Sequence, residues 1–523
     1  MFFSRKRRVL AELEHKFGAV KTEGFNFDLI KRYFQYKDHS SANQLLSDQI
    51  CNDLDFDLFF GFVDRTTSRI GQQFLYSELR STNHIQKNRE QVIQHFKNES
   101  KDRLEIQYEL QRLNHHQAYF CSDLFLQQQD KKPNWYFLIP LLSFSTLLSL
   151  ILIPFNSVFG FVFLSLFACN MLLHFGLKRQ TTLFIHSVPT ILSLGAIAQK
   201  LYKREFLKVL LPDLNNELVT ISKIRRKMSF FKLEQKVDSE MEAAYWFLLE
   251  MIKILFLLEP LLLYNSLEVF KNKSKDIEKV FRFVGEVDML ISITSLRIGL
   301  DQYCIPELDS GTCKVSFHGL QHPLVPNCVA NSMNSQKSVL LTGSNMSGKS
   351  TFIRAIGLNL ISGWTLNTCF ASTACIPKAK LFSVIRIEDD LMQSSSYFFQ
   401  EINEIKTIIH ATQNEACSIV LIDELFKGTN TLERVAAAKS ILSYLNKQNC
   451  QIFVSTHDLE LTTMLQEEFE LYYFSETVTE TSIDFDYKIK LGVPERGNAI
   501  RILQLNAYPE SIVQEANQLV NKS

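Results

Sequence analysis

The sequence lacks two features that would quickly assign it to a class. Its ten cysteines form no C-x-x-C pair, which argues against zinc and against a secreted disulfide scaffold and predicts reduced thiols facing a cytosol. It has no net charge, because 56 Lys and Arg balance 56 Asp and Glu, so no global basic field indicates nucleic acid as a partner. A chain of 523 residues is long enough for roughly two to four domains.

Charged side chains are absent from one long stretch: residues 133–177 contain no Asp, Glu, Lys or Arg. Trp135 to Ile153 is long enough to cross about 30 Å of hydrocarbon as a helix, and Val158 to Leu177 is long enough to cross back. Basic residues flank both ends, which places both in the cytoplasm. The pattern predicts a multi-pass membrane protein with lipid as a partner through residues 135–177. A buried core hairpin, the alternative, would show charged residues on a polar face.

A second apolar run, Ala243 to Leu263, is interrupted by Glu250, Lys253 and Glu259. Charges in the middle of a span are expensive in lipid. This run therefore predicts a buried helix of the soluble part, with membrane entry as the alternative. The other residues up to about 300 show helical periodicity on both sides of the charge-free stretch.

The most informative stretch is the loop GSNMSGKST, which follows an apolar strand and precedes a helical pattern. In that setting G-x-x-x-x-G-K-[ST] predicts a phosphate-binding loop. Gly343 and Gly348 permit a tight turn and a close approach of backbone N–H groups to phosphate oxygens. Lys349 supplies a point charge for the β- and γ-phosphates, and Ser350 supplies a hydroxyl for Mg²⁺. The predicted nucleotide-binding residues here are Gly343, Ser344, Asn345, Met346, Ser347, Gly348, Lys349, Ser350 and Thr351.

From about residue 300, short apolar strands alternate with helices, which predicts an α/β domain with a mostly parallel sheet. The strand SIVLIDE ends in Asp423, suited to hold Mg²⁺, and Glu424, suited to act as general base on the attacking water. The strand IFVSTHD is followed by His457, placed to sense the γ-phosphate. Glu424, His457 and Lys349 are therefore the predicted catalytic residues, with ATP and Mg²⁺ as cofactors. The strand candidates are Ser338–Thr342, Ser418–Ile422, Gln451–Ser455 and Leu471–Phe474.

Together, and in this order, these blocks resemble the MutS family of mismatch-repair ATPases. TGSNMSGKSTFIRAIGLN, LIDELFKGTNT and VSTHD are similar to the family's phosphate loop, carboxylate segment and histidine switch. RIEDDLMQSSSYFFQEI is similar to its signature loop, and FDLFFGFVDRTTSRIGQQFLYSELRST to the start of its helical lever domain. The resemblance implies a dimer with composite sites, in which Ser396 of one subunit reaches the nucleotide of the other in trans.

The resemblance also implies an all-α lever domain followed by an α/β P-loop ATPase domain of the ABC type. With the transmembrane helical hairpin predicted from the charge-free stretch, the expected fold is multidomain. The lever occupies residues 1–130 and 181–300, the hairpin 131–180, and the ATPase domain with a C-terminal helical dimerisation segment 301–523. Because the chain begins about where the family's lever begins, the mismatch-reading domain is expected to be absent. The hairpin falls where the family carries its DNA-gripping clamp.

The predicted function is therefore that of a MutS-like ATPase related to DNA mismatch repair. It would be tethered to the membrane, with the lever and ATPase domains in the cytoplasm, and bind mismatched or branched DNA as a homodimer. Two alternatives remain open: an ATP-driven membrane switch acting on a protein or lipid partner without DNA, and a scaffold that uses ATP binding only to dimerise.

Overall fold

The computed structural model divides the chain into two compact units. The helical unit comprises Met1–Asp38, Asp64–Ser77 and Gln86–Leu296, and the sheet unit comprises His39–Val63, Glu78–Ile85 and Arg297–Ser523. The structure describes residues 2–40, 42–82, 87–126, 133–228, 240–309, 311–344, 346–386, 397–413, 416–426, 430–478, 483–494, 500–501, 503 and 508–520.

Helices dominate the first 300 residues, as the periodicity predicts, and also flank the strands of the sheet unit. Short 3₁₀ turns at Gln111–Leu113, His116–Phe120 and Asn134–Phe137 connect some of them. The described helices are α1 Phe2–Lys16, α2 Phe27–Ile30, α3 Arg32–Tyr36, α4 Asp48–Asp53, α5 Phe56–Val63, α6 Arg69–Arg80, α7 Lys87–Asn98, α8 Ser100–Leu110, α9 Asp123–Leu126, α10 Leu138–Leu152, α11 Val158–Tyr202, α12 Glu205–Lys208, α13 Asn215–Lys227, α14 Glu240–Phe256, α15 Leu258–Asn272, α16 Ser274–Ile298, α17 Lys349–Leu366, α18 Tyr397–Thr412, α19 Thr431–Asn446, α20 Leu459–Leu465 and α21 Glu510–Val520.

The polar turn before α6 is held by Asp288 of α16. The Asp288 carboxylate accepts the backbone N–H groups of Thr67 (2.8 Å) and Ser68 (2.7 Å) and the Ser68 hydroxyl (2.6 Å). Gly71 lies against the same carboxylate, where a Cβ would be 2.2 Å from Oδ2. Asp288 is fully buried, so these donors take the place of water. The turn therefore requires both the acid and the glycine.

The same aspartate gives the helical unit an expected pH dependence. Burial raises the pKa of Asp288 to about 6, although hydrogen bonds from Ser68 and Thr67 oppose this shift. The unfolded value is about 3.9, so between these two values the folded state holds a proton that the unfolded chain releases. The contribution of Asp288 to the free energy of unfolding is therefore expected to be fully present below about pH 4. It should fall by about 3 kcal/mol as the pH rises from about 4 through 6.

The measurement is the free energy of unfolding against pH, in detergent, for the wild type and for Asp288→Asn. Subtracting the two curves isolates this carboxylate from the other titrating groups. Parallel curves over this range would contradict the prediction.

Helices α10 and α11 pack against each other as a hairpin. Asn134–Leu152 and Val158–Leu177 are long and apolar enough to cross a membrane by length and composition, with mean hydropathies of 1.9 and 2.0. Only 17% and 11% of these segments are buried inside the protein. Most of their apolar side chains therefore face outward, whereas the core helices of a soluble protein bury theirs.

The described strands form three sheets in the sheet unit. The largest has the order β12-β9-β4-β8-β7-β6, with parallel neighbours except for antiparallel β12 at its edge, which confirms the predicted mostly parallel sheet. A second sheet has the order β1-β5-β2-β3, and β10 pairs with β11. The strands are β1 Glu307–Asp309, β2 Ser316–Leu320, β3 Asn331–Asn334, β4 Ser338–Thr342, β5 Thr373–Pro377, β6 Lys380–Val384, β7 Ser418–Asp423, β8 Cys450–Ser455, β9 Phe469–Tyr473, β10 Glu476–Val478, β11 Ile483–Phe485 and β12 Lys490–Leu491.

Residues 39–63 belong to the sheet unit although they lie far from it in sequence. The Gln44 amide bonds both backbone groups of Leu381 in β6, at 2.6 and 2.8 Å. Leu54 packs against Gly357 of α17, where a Cβ would lie 2.8 Å from the Leu54 side chain. The sheet unit is thus completed by an early piece of the chain.

One pair of cysteines differs from the sequence expectation. Cys313, before β2, and Cys417, before β7, form a disulfide bond. The prediction that every thiol is reduced is therefore wrong for this pair, while the other eight cysteines, all in the described part of the chain, form no disulfide.

Candidate nucleotide site

The glycine loop connects β4 to α17 and depends on backbone conformations that favour glycine. Gly343 and Gly348 have φ values of +142° and +111°. A Cβ on Gly343 would lie 2.6 Å from the backbone oxygen of Phe474, so this position excludes any larger residue. Met346 also has a positive φ of +70° and is 83% exposed at the crest of the loop. Asn345, a predicted nucleotide-binding residue, lies outside the described residues.

The two serines of the loop bond within the site. The Ser347 hydroxyl donates to the backbone oxygen of Ser344 (2.8 Å), and the Ser344 hydroxyl donates to Glu476 (2.7 Å). Ser347 is buried, so its side chain occupies space inside the loop. Both serines are therefore accommodated without an unpaired hydroxyl.

Lys349 begins α17 and lies beneath the loop. Its ammonium donates to the backbone oxygens of Gly343 (2.8 Å) and Ser344 (2.9 Å) and lies 3.4 Å from Nε2 of His457. Only 5% of Lys349 is exposed. A buried ammonium surrounded by carbonyl oxygens is well placed to neutralise an anion bound over the loop.

Asp423 and Glu424 follow one another at the end of β7 but turn to different partners. Asp423 accepts the hydroxyl of Ser455, the residue that ends β8. Glu424 has a left-handed φ of +62° and donates its backbone N–H to the oxygen of Ser455 (3.1 Å). Its carboxylate lies 2.7 Å from Nε2 of His457. A left-handed glutamate is uncommon and costs energy, which indicates that the surrounding structure fixes it.

His457 joins the predicted catalytic residues into one group. Its Nε2 lies 2.7 Å from the Glu424 carboxylate and 3.4 Å from the Lys349 ammonium. The three residues come from the segments after β4, β7 and β8, which are close because β8 lies between β4 and β7 in the sheet. The structure thus brings together Glu424, His457 and Lys349.

A cavity of about 450 Å³ extends from this group along the loop. It is lined by Ser344, Met346 and residues 348–351 of the loop, and by Glu424. The cavity is also lined by residues that the sequence did not single out by chemistry. Its volume falls in the usual range of ligand sites. These additional residues are Leu320, His322, Val325, Pro326, Asn327, Cys328, Val329, Asn331, Phe352, Ala355, Phe474 and Tyr487.

The far side of the cavity is held in shape by Asn331. Its amide donates to the backbone oxygen of Tyr487 (2.9 Å) and accepts the backbone N–H of Ile489 (2.8 Å). His322 lines the same side, and burial together with Arg354 lowers its pKa to about 4, so it is neutral at pH 7. The residues around Asn331 and His322 are thus neutral or apolar, whereas the loop contributes Lys349.

Ser350 and Asp423 are the predicted Mg²⁺ ligands. Ser350 lies in the first turn of α17 and lines the cavity, and Asp423 ends β7. A hydroxyl and a carboxylate are hard oxygen donors of the kind Mg²⁺ prefers, usually with waters completing the shell. The chemistry of this donor pair fits that ion.

Ser396, the residue predicted to act in trans, lies outside the described residues, as do all of residues 387–396. The residues just before them are held by two aspartates of residues 39–63. Asp53 accepts the Ser383 hydroxyl (2.6 Å) and the backbone N–H of Arg386 (2.7 Å), and Asp55 pairs with the Arg386 guanidinium at 2.7 and 3.1 Å. Asp53 is fully buried, and burial raises its pKa. Sequence reasoning missed this role, although two acids in an apolar run are a signal of it.

The family model and the similar proteins found by comparison all point to the same family. The family model described as MutS domain V matches residues 339–522. The DNA mismatch repair protein MutS of Thermotoga petrophila is 29% identical over 276 residues, which are 51% of this chain and 34% of that protein. The MutS proteins of Fervidobacterium nodosum and Listeria welshimeri are 30% and 28% identical over 51% and 59% of this chain. The chain spans about a third of the length of these relatives, 33–37%.

Proposed function

Since the chain belongs to the MutS family, we propose that it binds and hydrolyses ATP at the glycine loop. The observation that carries this proposal is the group formed by Lys349, His457 and Glu424 at the end of a cavity lined by that loop. A cation for phosphate, a carboxylate for water and an imidazole between them are the side chains that hydrolysis of a phosphoanhydride needs.

Each residue has a defined role in this proposal. Lys349 leaves the loop carbonyls and binds the β- and γ-phosphate oxygens, and the N-terminus of α17 adds its partial positive charge. Ser350 and Asp423 hold Mg²⁺, which neutralises phosphate charge when bound. Glu424 takes the proton of the attacking water, and His457 orients the Glu424 carboxylate and reports the γ-phosphate through the 2.7 Å contact. The adenosine lies toward Asn331 and Tyr487.

Lys349→Ala is expected to weaken MgATP binding about 100-fold, because hydrogen bonds from an ammonium to phosphate contribute about 1.5–3 kcal/mol each. The measurement is equilibrium retention of labelled ATP by the purified full chain with Mg²⁺. Lys447→Ala, at the exposed end of α19, is the matched control and should bind like the wild type. A wild type that retains no nucleotide would end the proposal.

We further propose that the active form is a homodimer in which Ser396 completes the partner's site, and that residues 135–177 anchor it in the membrane. The membrane assignment rests on the two long apolar segments, whose surfaces are mostly exposed. The dimer is proposed from the resemblance to the MutS family, whose domain V model matches residues 339–522. Flotation with liposomes and ATP-dependent sedimentation of the purified chain test the two statements separately.

DNA is the proposed macromolecular substrate, mismatched or branched, because the relatives are named as mismatch repair proteins. The alternative is an ATP-driven membrane switch that acts on a protein or lipid, favoured by the exposed apolar hairpin. Binding of mismatch, junction and homoduplex DNA, with and without ATP and at several salt concentrations, distinguishes them. Binding of none of these DNAs at low salt would leave the switch as the function.

A further inference from the structure

Helices α14 and α15 pack onto the hairpin formed by α10 and α11. The amide of Asn170 in α11 donates to the backbone oxygen of Leu255 in α14 (3.2 Å). Tyr264 of α15 packs edge-on against the rings of Trp135 and Tyr136, with centroids 6.3 and 5.5 Å away. Both helices of the second apolar run therefore lie alongside the candidate membrane segments.

The charges that interrupt the second apolar run all point into this bundle. Nε2 of His174 in α11 lies 3.2 Å from Glu250 and 3.9 Å from Glu259, and the Lys253 ammonium lies 3.4 and 3.2 Å from the same two carboxylates. The His174 side chain is fully buried, and those of the two glutamates and Lys253 are 8%, 10% and 14% exposed. We call these four residues the ion cluster. Inward-facing, mutually paired charges are the arrangement in which ionisable residues occur inside membranes.

The ion cluster contains its own cation. Ligand atoms of His174, Glu250 and Glu259 lie within 4.8 Å of one another, a spacing compatible with a metal ion. The Lys253 ammonium, however, bridges the two carboxylates. This ammonium offsets carboxylate charge within the cluster, and the His174 ring lies against both carboxylates, so the group is paired internally.

The exposed side chains of α14 that the structure describes are apolar. Phe247, Leu248 and Ile252 are 61%, 59% and 38% exposed. They lie one turn or less from Glu250, so the helix presents ionisable groups inward and large apolar groups outward. This is the reverse of a soluble surface helix and matches a helix in contact with lipid.

The contacts also give the depth that α14 reaches. Glu250 contacts His174, and Leu255, further along α14, contacts Asn170. The direction of α14 is therefore away from Leu177, the residue that ends the candidate span. Asn170 lies about 10 Å inside that end along the helix. Tyr264 then returns beside Trp135, at the start of the first segment. The two helices therefore enter and leave on the same side.

The turn between α14 and α15 satisfies its own polar backbone. Leu257 has a left-handed φ of +47° and is fully buried. Its N–H donates to Ile254 (3.3 Å), its oxygen accepts from Leu261 (3.2 Å), and the oxygen of Leu255 accepts from Asn170. Internal pairing of this kind is what a non-helical turn requires at membrane depth.

We propose that residues 240–272 enter the membrane beside the hairpin as a re-entrant pair of helices, with lipid acyl chains against Phe247, Leu248 and Ile252. The ion cluster holds this pair to α11. The inference rests on the proposed membrane hairpin and extends it. It reverses the expectation from the sequence, where the same three charges favour a soluble helix.

The test is the reactivity of single introduced cysteines with a water-soluble maleimide. The full chain is reconstituted into phosphatidylcholine–phosphatidylglycerol liposomes and labelled during freeze–thaw, so that the reagent reaches both faces. Peptide mass spectrometry resolves the introduced site from the native cysteines. Leu248→Cys probes α14, Leu164→Cys, 62% exposed in α11, is the lipid reference, and Met464→Cys, 52% exposed in α20, is the water reference.

Leu248→Cys is expected to react at least about tenfold more slowly than Met464→Cys, because apolar surroundings disfavour the reactive thiolate. Its rate should match that of Leu164→Cys, and all three should react equally in dodecyl sulfate. Fast labelling of Leu248→Cys with slow labelling of Leu164→Cys would overturn the re-entrant pair and leave the hairpin intact. Fast labelling of both would overturn the hairpin and this inference together.

A charge reversal and its compensation test the ion cluster. In the Leu248→Cys background, Lys253→Glu places three carboxylates around His174 and is expected to raise labelling about tenfold, since unpaired buried charges are strongly destabilising. Adding Glu259→Lys restores the original charges in exchanged positions and should restore protection. Unchanged protection in the Lys253→Glu variant would show that the cluster does not hold the helices.

Discussion

Replacing Glu424 with glutamine is expected to stop ATP hydrolysis while leaving ATP bound. Glutamine has the shape of glutamate but accepts no proton from water, and loss of a general base commonly lowers turnover by about 10²–10⁴-fold. The left-handed backbone at this residue and its N–H bond to Ser455 do not depend on the carboxylate. The variant should therefore fold normally and accumulate the triphosphate complex.

The measurement combines steady-state release of phosphate with retention of labelled ATP by the purified chain. Glu467→Gln, an exposed glutamate after α20 in the same unit, provides the matched control and should hydrolyse ATP at the wild-type rate. Turnover by Glu424→Gln within a few-fold of the wild type would remove Glu424 from the catalytic role.

A methyl group added at Gly71 is expected to destabilise the helical unit by about 3 kcal/mol, a large effect for one carbon atom. The new Cβ would lie 2.2 Å from Oδ2, 2.5 Å from Cγ and 2.6 Å from Cβ of Asp288. Either α6 or Asp288 must move, and movement of either breaks the bonds to Thr67 and Ser68. Thermal unfolding in detergent measures the loss.

Gly24 offers a control for the same substitution in the same unit. A Cβ there meets nothing within 4 Å, so Gly24→Ala should be neutral or slightly stabilising through its effect on the unfolded chain. Equal unfolding temperatures for the two variants would show that the approach to Asp288 carries no energetic cost.

Local sequence patterns predicted those parts of the site whose chemistry lies within a few residues. The glycine loop, Asp423 and Glu424 could be recognised because each follows a buried strand, and the four predicted strands are present within two residues of their expected ends. Contact between His457 and Lys349 depends on the order of strands in the sheet, which no single segment encodes.

Long-range pairing explains what the sequence did not reveal. Asp53 and Arg386 are 333 residues apart, so neither shows by itself that it has a buried partner. Asn331 at the start of β3 and Tyr487 between β11 and β12 likewise line one cavity, although they are 156 residues apart. The pairing of Glu250 in α14 is hidden for the same reason, since its partner His174 lies 76 residues away.

The early segment that completes the sheet unit has a practical consequence for anyone dividing this protein. A fragment starting near residue 300 would contain the glycine loop, Asp423, Glu424 and His457 and yet lack Gln44, Asp53 and Leu54. Leu381 of β6 would lose its bonds to Gln44, and a gap would open over Gly357. Loss of activity in such a fragment would indicate misfolding of the sheet unit rather than a requirement for the helical unit. Truncated or chimeric variants of this protein are therefore interpretable only when residues 39–63 are kept together with the C-terminal half.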